Sequence, residues 1–78
     1  MREEILEAIK NYLAKIRHAD PETMTEETDF SKDMGGTSLE FAQLAAYLES
    51  EYDVDLPYMA FCRKKTLGDM ADFVEESM

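Results

Sequence analysis

Asp33-Met34-Gly35-Gly36-Thr37-Ser38-Leu39-Glu40 is the stretch that decides the fold, because it leads from a two-glycine turn directly into a helix. Glycine lets the backbone turn tightly and leaves room for a bulky group to approach. Thr37 and Glu40 have the spacing of a capping box, in which each side chain bonds to the backbone N–H of the other residue. The helix is therefore predicted to begin at Ser38.

The hydroxyl of Ser38 is the candidate functional group. Free backbone N–H groups and the helix macrodipole favour a negative charge at a helix N-terminus. The position therefore suits a serine that carries a phosphodiester. Gly36, Thr37 and Leu39 flank Ser38 and complete the candidate attachment site.

Apolar residues at helical spacing predict an amphipathic helix from Glu3 to Arg17. Asp20-Pro21 follows it, and a residue before proline is pushed out of the helical region. Residues 18 to 37 are predicted to form a long loop that Phe30 anchors in the core. The next helix runs from Ser38 to about Glu51.

The rest of the chain predicts two more helices. Tyr58 to Cys62 forms a short helical turn packed between its neighbours. Thr66 caps a last helix, whose predicted buried face consists of Leu67, Met70, Ala71 and Val74. The predicted fold is thus all-α, a small four-helix bundle with three main helices and a short third one, in a single domain over residues 1-78.

The residues of the helix that begins at Ser38 divide into two stripes on two faces. The first is predicted to face the core and consists of Phe41, Leu44, Ala45 and Leu48. The second lies on the side from which Ser38 projects and consists of Leu39, Ala42, Gln43 and Ala46. This second stripe is predicted to be a shallow docking surface for partner proteins.

The charge of the chain restricts its partners. With 18 acidic and 8 basic side chains among 78 residues, the formal net charge is −10. Such a chain repels nucleic acids and anionic membranes and favours proteins with basic surfaces. One cysteine excludes an internal disulfide, and no leader or membrane-length apolar run is present. We expect a cytoplasmic monomer that binds neither nucleic acid nor membrane.

The sequence offers no catalytic residue. The one histidine, His18, and the one thiol, Cys62, have no local pattern that links either to Ser38. A serine without a general base is not activated for nucleophilic catalysis. The chain is therefore predicted not to be an enzyme, and Ser38 to be a substrate for the chemistry of another protein.

A calcium loop is an alternative of a different class. Asp29, Ser31, Asp33, Gly35, Thr37 and Glu40 fall at positions 1, 3, 5, 7, 9 and 12 of an EF-hand loop. Position 6 of that loop requires glycine for a sharp turn, and Met34 stands there instead. The residues before Asp29 also lack the period of an entering helix, so no metal site is predicted.

The sequence around Ser38 resembles the acyl carrier protein family, and the resemblance covers most of the chain. The matching residues and short segments are Phe30, Asp33-Met34-Gly35, Ser38-Leu39-Glu40, Leu44, Leu48-Glu49, Glu51-Tyr52-Asp53, Leu56-Pro57 and Thr66-Leu67-Gly68-Asp69. The resemblance implies that Ser38 bears a 4′-phosphopantetheine arm, transferred from coenzyme A by a separate phosphopantetheinyl transferase. The thiol of the arm then holds acyl groups as thioesters.

The same resemblance implies roles for other residues. Glu40 and Glu49 would join the docking stripe. Basic patches on partner enzymes would bind this stripe, and these partners would be acyl-loading and acyl-processing enzymes of fatty acid, polyketide or related lipid biosynthesis. An acyl cavity would be lined by Phe41, Ala45, Leu48, Met59, Met70 and Val74. Met59 and Met70 are accordingly expected in the core, where flexible thioethers suit an adaptable cavity.

Two features depart from the general fatty-acid carrier. The first is the sequence Gly35-Gly36-Thr37-Ser38, which resembles the Gly-Gly-x-Ser of peptidyl or aminoacyl carriers. A peptidyl or aminoacyl carrier of a nonribosomal-peptide-type pathway is therefore an alternative. Leu39-Glu40 and the net charge favour a fatty-acid or polyketide carrier. The second is the basic run Arg63-Lys64-Lys65. It is a solvated cluster that complements the dipole of a helix end, or else it contacts a partner protein or the phosphate of the arm.

Overall fold

The computed structural model describes residues 1 to 78 and contains helices without β-strands. Its α-helices are α1 (Arg2–Arg17), α2 (Phe30–Met34), α3 (Ser38–Tyr52), α4 (Tyr58–Phe61) and α5 (Leu67–Ser77). This arrangement confirms the predicted all-α bundle with three main helices, α1, α3 and α5. Their bounds lie within one or a few residues of the predicted ones.

The predicted loop over residues 18 to 37 is partly wrong, because it contains a 3-10 turn at Pro21–Thr23 and the helix α2. An aspartate caps each of these elements: Asp20 accepts the N–H of Glu22, and Asp29 accepts the N–H of Lys32. Elements this short do not show a helical period in the sequence. Phe30 is fully buried, which confirms its predicted role as anchor.

The ends of α1 follow the sequence signals. Glu3 and Glu4 lie in its first turn, and Lys15 and Arg17 lie in its last turn, as the macrodipole favours. The chain leaves the helix at His18, which has a left-handed backbone with φ 53. The chain therefore turns away from α1 just before Asp20-Pro21.

The core is made of sixteen buried apolar side chains, and no polar side chain is buried. The predicted core stripe of α3 and the predicted buried face of α5 are all among the sixteen, which confirms both. The rings of Tyr12 and Tyr47 stack at 4.5 Å between centroids and join α1 to α3 at the edge of this core.

The segment that precedes α2 is joined to the segment that precedes α5. The N–H of Phe30 donates to the carbonyl of Lys65 at 2.9 Å, and the N–H of Leu67 donates to the carbonyl of Thr28 at 3.0 Å. These bonds form a single antiparallel bridge between Asp29 and Thr66. They fix α2 against the start of α5. None of the helices has the length and apolar character needed to cross a membrane.

Candidate functional site

Ser38 occupies the first turn of α3, as predicted, and its side chain is exposed. Thr37 is the N-cap, and its hydroxyl accepts the N–H of Glu40 at 3.2 Å. Glu40 accepts the N–H of Thr37 in return at 2.9 Å. The predicted capping box is therefore confirmed, and it fixes the backbone on both sides of Ser38.

The two glycines that precede the cap have different structural roles. Gly35 ends α2 in the left-handed region, with φ 65, where a side chain is strained. Gly36 has an ordinary φ but lies against the ring of Phe30. A Cβ added at Gly36 would lie 2.3 Å from Cε2 of that ring. The loop thus approaches the core closely only because Gly36 has no side chain.

Arg17 connects this site to α1. Its Nη1 donates to both carboxylate oxygens of Glu40 at 2.7 Å, and its Nη2 donates to the carbonyl of Met34. The Arg17 and Glu40 side chains are 27% and 19% exposed, so the pair is largely shielded from water. The last turn of α1, the end of α2 and the start of α3 are therefore held together by one guanidinium group.

The electrostatics of the helix start follow from these contacts. The backbone N–H of Thr37, and next the guanidinium of Arg17, lower the pKa of Glu40 against the opposing effect of burial. Glu40 is thus ionised, and Arg17 compensates its charge. The N–H groups of Ser38 and Leu39 have no acceptor within the chain. They remain available to an anion bound to the Ser38 oxygen.

The hydroxyl of Ser38 makes no hydrogen bond within the chain. Its backbone carbonyl accepts the Tyr58 hydroxyl at 3.3 Å, which places the start of α4 beside Ser38. The serine oxygen is thus exposed and without a general base, between a capped helix start and α4. This geometry fits a linker attached through a phosphodiester, which needs open space at the oxygen and N–H donors around the phosphate.

The predicted docking stripe is exposed along α3. Leu39 is 67% exposed, and Ala42, Gln43 and Ala46 are also exposed. The two acids assigned to the same surface have internal partners. Glu40 binds Arg17, as described above, and Glu49 accepts the N–H of Leu56 at 2.8 Å. Both carboxylates therefore have a structural role in addition to any role in docking, which stays a prediction.

The residues predicted to line an acyl cavity do not all lie together. Met59 is 67% exposed, so its predicted place in the core is wrong, whereas Met70 is fully buried as expected. The four-residue helix α4 turns Phe61 inward and Met59 outward, and a helix so short has no period that would show this in the sequence. Phe41, Ala45, Leu48 and Val74 are buried, and of the whole predicted set Phe41 alone lines a surface cavity.

The residues of the alternative calcium loop have other structural roles. Residues 30 to 34 form α2, with Asp29 as its N-cap. The carboxylate of Asp33 accepts the N–H of Asp29 at 2.8 Å, and Glu40 belongs to the capping box. This segment has the geometry of a helix and its caps, so nothing in it favours the calcium alternative.

Sequence analysis missed two residues that hold the site, Arg17 and Tyr58. Arg17 was assigned only to the C-terminus of α1, although it also pairs with an acid 23 positions further along the chain. Tyr58 contacts Ser38 across 20 positions. The sequence carried no local signal for either contact, because both depend on how the helices pack.

Comparisons with known proteins indicate the family of this chain. A family model described as the phosphopantetheine attachment site matches residues 7–74. The chain is 32% identical over 75 residues to an acyl carrier protein of Phenylobacterium zucineum (strain HLK1), with 96% of this chain and 95% of that protein covered. It is 34% identical over 73 residues to an acyl carrier protein of Caulobacter vibrioides (strain NA1000 / CB15N), with 94% of each covered.

A third acyl carrier protein, from Thermosynechococcus vestitus (strain NIES-2133 / IAM M-273 / BP-1), is 33% identical over 75 residues and is covered over 93% of its length. A small helical bundle whose sequence matches the family model of the phosphopantetheine attachment site is a carrier of a covalently attached 4′-phosphopantetheine group. This chain belongs to the acyl carrier protein family. Membership implies that it interacts with a phosphopantetheinyl transferase and with biosynthetic enzymes.

Proposed function

We propose that the oxygen of Ser38 is the attachment point of the 4′-phosphopantetheine group and that the loaded protein presents acyl thioesters to enzymes of fatty acid, polyketide or related lipid biosynthesis in the cytoplasm. The observation that carries the proposal is the unpaired, exposed Ser38 hydroxyl in the first turn of a capped helix. When bound, the group supplies a thiol that holds acyl groups as thioesters.

The attachment step requires a separate transferase. The Ser38 oxygen loses its proton and forms a bond to the phosphorus that bears the pantetheine in coenzyme A. The P–O bond to the second phosphorus breaks, and adenosine 3′,5′-bisphosphate leaves. The Ser38 hydroxyl has no proton acceptor within this chain, so we assign the base to the transferase and no catalysis to the carrier itself.

The residues around Ser38 have positioning roles in this proposal. Gly36 allows the loop to lie close to Phe30, Thr37 caps the helix, and the N–H groups of Ser38 and Leu39 face the phosphodiester. Leu39 begins the exposed stripe that continues through Ala42, Gln43 and Ala46. We propose this stripe, with Glu40 and Glu49 at its edge, as the docking surface for basic patches on partner enzymes.

Intact mass spectrometry tests the attachment. The protein is incubated with coenzyme A and a broad-specificity phosphopantetheinyl transferase, and we expect a gain of one phosphopantetheine group that maps to Ser38. Ser38→Ala should abolish the gain. Ser50→Ala, an exposed serine in the same helix, is the matched control and should be modified like the natural chain. Modification of Ser38→Ala, or an adduct at another residue, contradicts the proposal.

A further inference from the structure

Most of the basic side chains that lack an ion pair lie in one part of this acidic molecule. Three of the eight basic side chains form ion pairs, namely Arg2, Lys10 and Arg17. Of the remaining five, Lys15 lies on α1, and the other four lie in α2 or directly after α4. We refer to these four as the basic cluster, which consists of Lys32, Arg63, Lys64 and Lys65.

The fold brings the two parts of the basic cluster together. At the start of α2, the N–H of Phe30 donates to the carbonyl of Lys65 at 2.9 Å. Lys32, Arg63 and Lys65 border the same surface depression, and all three are exposed. Asp29 is the one acid at that border, and its carboxylate accepts the N–H of Lys32 as the N-cap of α2. One carboxylate is thus opposed by three exposed cations.

The chain around α4 is free of acids. None of the 18 acidic residues lies between Asp55 and Asp69, a segment that contains all of α4 and three members of the basic cluster. A second acid-free segment, between Glu7 and Asp20, differs because two of its three basic side chains form ion pairs. The segment around α4 is therefore a local region of positive charge in a chain of net charge −10.

The fold does not use most of these cations. The side chains of Lys32, Arg63 and Lys65 form neither an ion pair nor a hydrogen bond within the chain, since such bonds from basic side chains come from α1 alone. Lys64 has an internal contact, because its Nζ lies 5.1 Å from the centroid of the Phe73 ring. The last carbonyls of α4 already accept backbone N–H groups, so capping this helix does not require the cations either.

The basic cluster lies near Ser38. The Tyr58 hydroxyl at the start of α4 contacts the backbone of Ser38, and the four residues of α4 span only roughly 6 Å before the chain continues to Arg63. A protein interface of ordinary size covers about 800 Å² of each partner, which is roughly a sixth of the 4666 Å² that this chain exposes. An enzyme that docks over Ser38 therefore also reaches the basic cluster.

We propose that the basic cluster is a second docking surface, which binds a patch of carboxylates on the enzymes that act on the arm of Ser38. The inference rests on the proposed function and adds the charge pattern of the partner. A basic patch of the enzyme faces the docking stripe of α3, and an acidic patch beside it accepts charge-assisted hydrogen bonds from the basic cluster. Two contacts of opposite sign fix the orientation of the carrier, because a uniformly basic surface is repelled at the cluster.

Other anionic partners fit these charges less well. An anionic membrane is negative over its whole surface, so it would repel the acids of the chain at the same time as it attracts the basic cluster. A second copy of the chain also carries a net charge of −10 and is repelled in the same way. A carboxylate patch on an enzyme is confined to the area of the cluster and avoids this repulsion.

The test uses acetylated hexaglutamate as an acidic probe of the holo protein. Transferase and coenzyme A load Ser38, intact mass confirms the product, and amide NMR spectra are recorded while the peptide is added at low salt. We expect the amides of Lys32, Arg63 and Lys65 to shift at least about threefold more than the amide of Lys15, because the three clustered cations act together within one Debye length. Added salt shortens this length and should reduce the shifts. Hexalysine, the probe of opposite charge, should leave these three amides in place.

Variants separate the basic cluster from general charge effects. Arg63→Gln/Lys65→Gln removes two of the three exposed cations and should reduce the shift at Lys32 to less than about half. Lys10→Gln/Lys15→Gln removes the same charge from α1 and should leave the shift at Lys32 unchanged.

Three results would overturn the inference. These are equal shifts at Lys15 and the basic cluster, shifts at Lys32 that persist in the Arg63/Lys65 variant, and broadening of the cluster amides by phosphatidylglycerol vesicles when hexaglutamate has no effect. The last result would assign the cations to a membrane surface. A failure to load Ser38 instead rejects the proposed function, and intact mass reveals it before any titration.

Discussion

Replacing Gly36 by alanine tests whether the loop before Ser38 depends on close contact with the core. The added Cβ would lie 2.3, 2.5 and 2.6 Å from three atoms of the Phe30 ring. Phe30 is fully buried and packs edge-on against Phe41, so a shift of its ring would disturb the core. Overpacking of this kind costs about 2 kcal/mol, which corresponds to a decrease in Tm of roughly 8–16 °C for a domain of this size.

Gly35→Ala is the matched control, because it introduces the same methyl group one residue earlier. A Cβ at Gly35 meets nothing within 4 Å, so its cost comes only from the left-handed backbone and is about 1 kcal/mol. Urea unfolding followed by circular dichroism at several temperatures measures both variants. Gly36→Ala should be the less stable of the two, although Gly35 is the glycine with positive φ.

A double-mutant cycle identifies the cause. Phe30→Leu removes the ring atoms that the new methyl group meets, so Gly36→Ala should cost less in the Phe30→Leu background than in the natural chain. If Gly36→Ala is as stable as the natural protein, or if its cost is the same in both backgrounds, then the close approach to Phe30 does not shape this loop.

Three further predictions concern contacts that hold the helices. Arg17→Met should destabilise the fold by about 1–2 kcal/mol in denaturant unfolding because it removes charge-assisted bonds at a shielded site, whereas Lys15→Met on the exposed surface of α1 should have little effect. Because the pKa of Glu40 is lowered by folding, its stabilising contribution is complete above the usual carboxylate range and is lost as pH falls through its native pKa. Glu40→Gln should therefore flatten the acid side of the stability profile, and an unchanged profile would contradict this assignment. Thr66→Ala should cost about 1 kcal/mol by removing the N-cap of α5, and Thr66→Ser, which keeps the hydroxyl, should restore most of it.

Much of the fold was predictable because its signals are local. The periods of α1, α3 and α5 span several turns, and the capping box appears as the spacing of Thr37 and Glu40. The core stripe of α3 follows from the same period. These features need no knowledge of which helix packs against which.

The features that were missed depend on short elements or on distant residues. A helix of five residues such as α2 has too few turns to show a period, and its N-cap, Asp29, was considered only as a position of the alternative calcium loop. Met59 and Met70 are the same residue type, and their opposite burial follows only from the orientation of α4 and α5. The pairing of Arg17 with Glu40 depends on the packing of α1 against α3 and has no local signal.

The guanidinium of Arg17 makes three separate parts of the chain respond together. An enzyme that displaces the end of α2 when it binds breaks the bond from this group to the Met34 carbonyl, and that also loosens the end of the first helix. Movement of the chain beside Ser38 and fraying of the end of the first helix are then energetically linked. Amide hydrogen exchange in the two segments should accelerate in parallel when a transferase is bound.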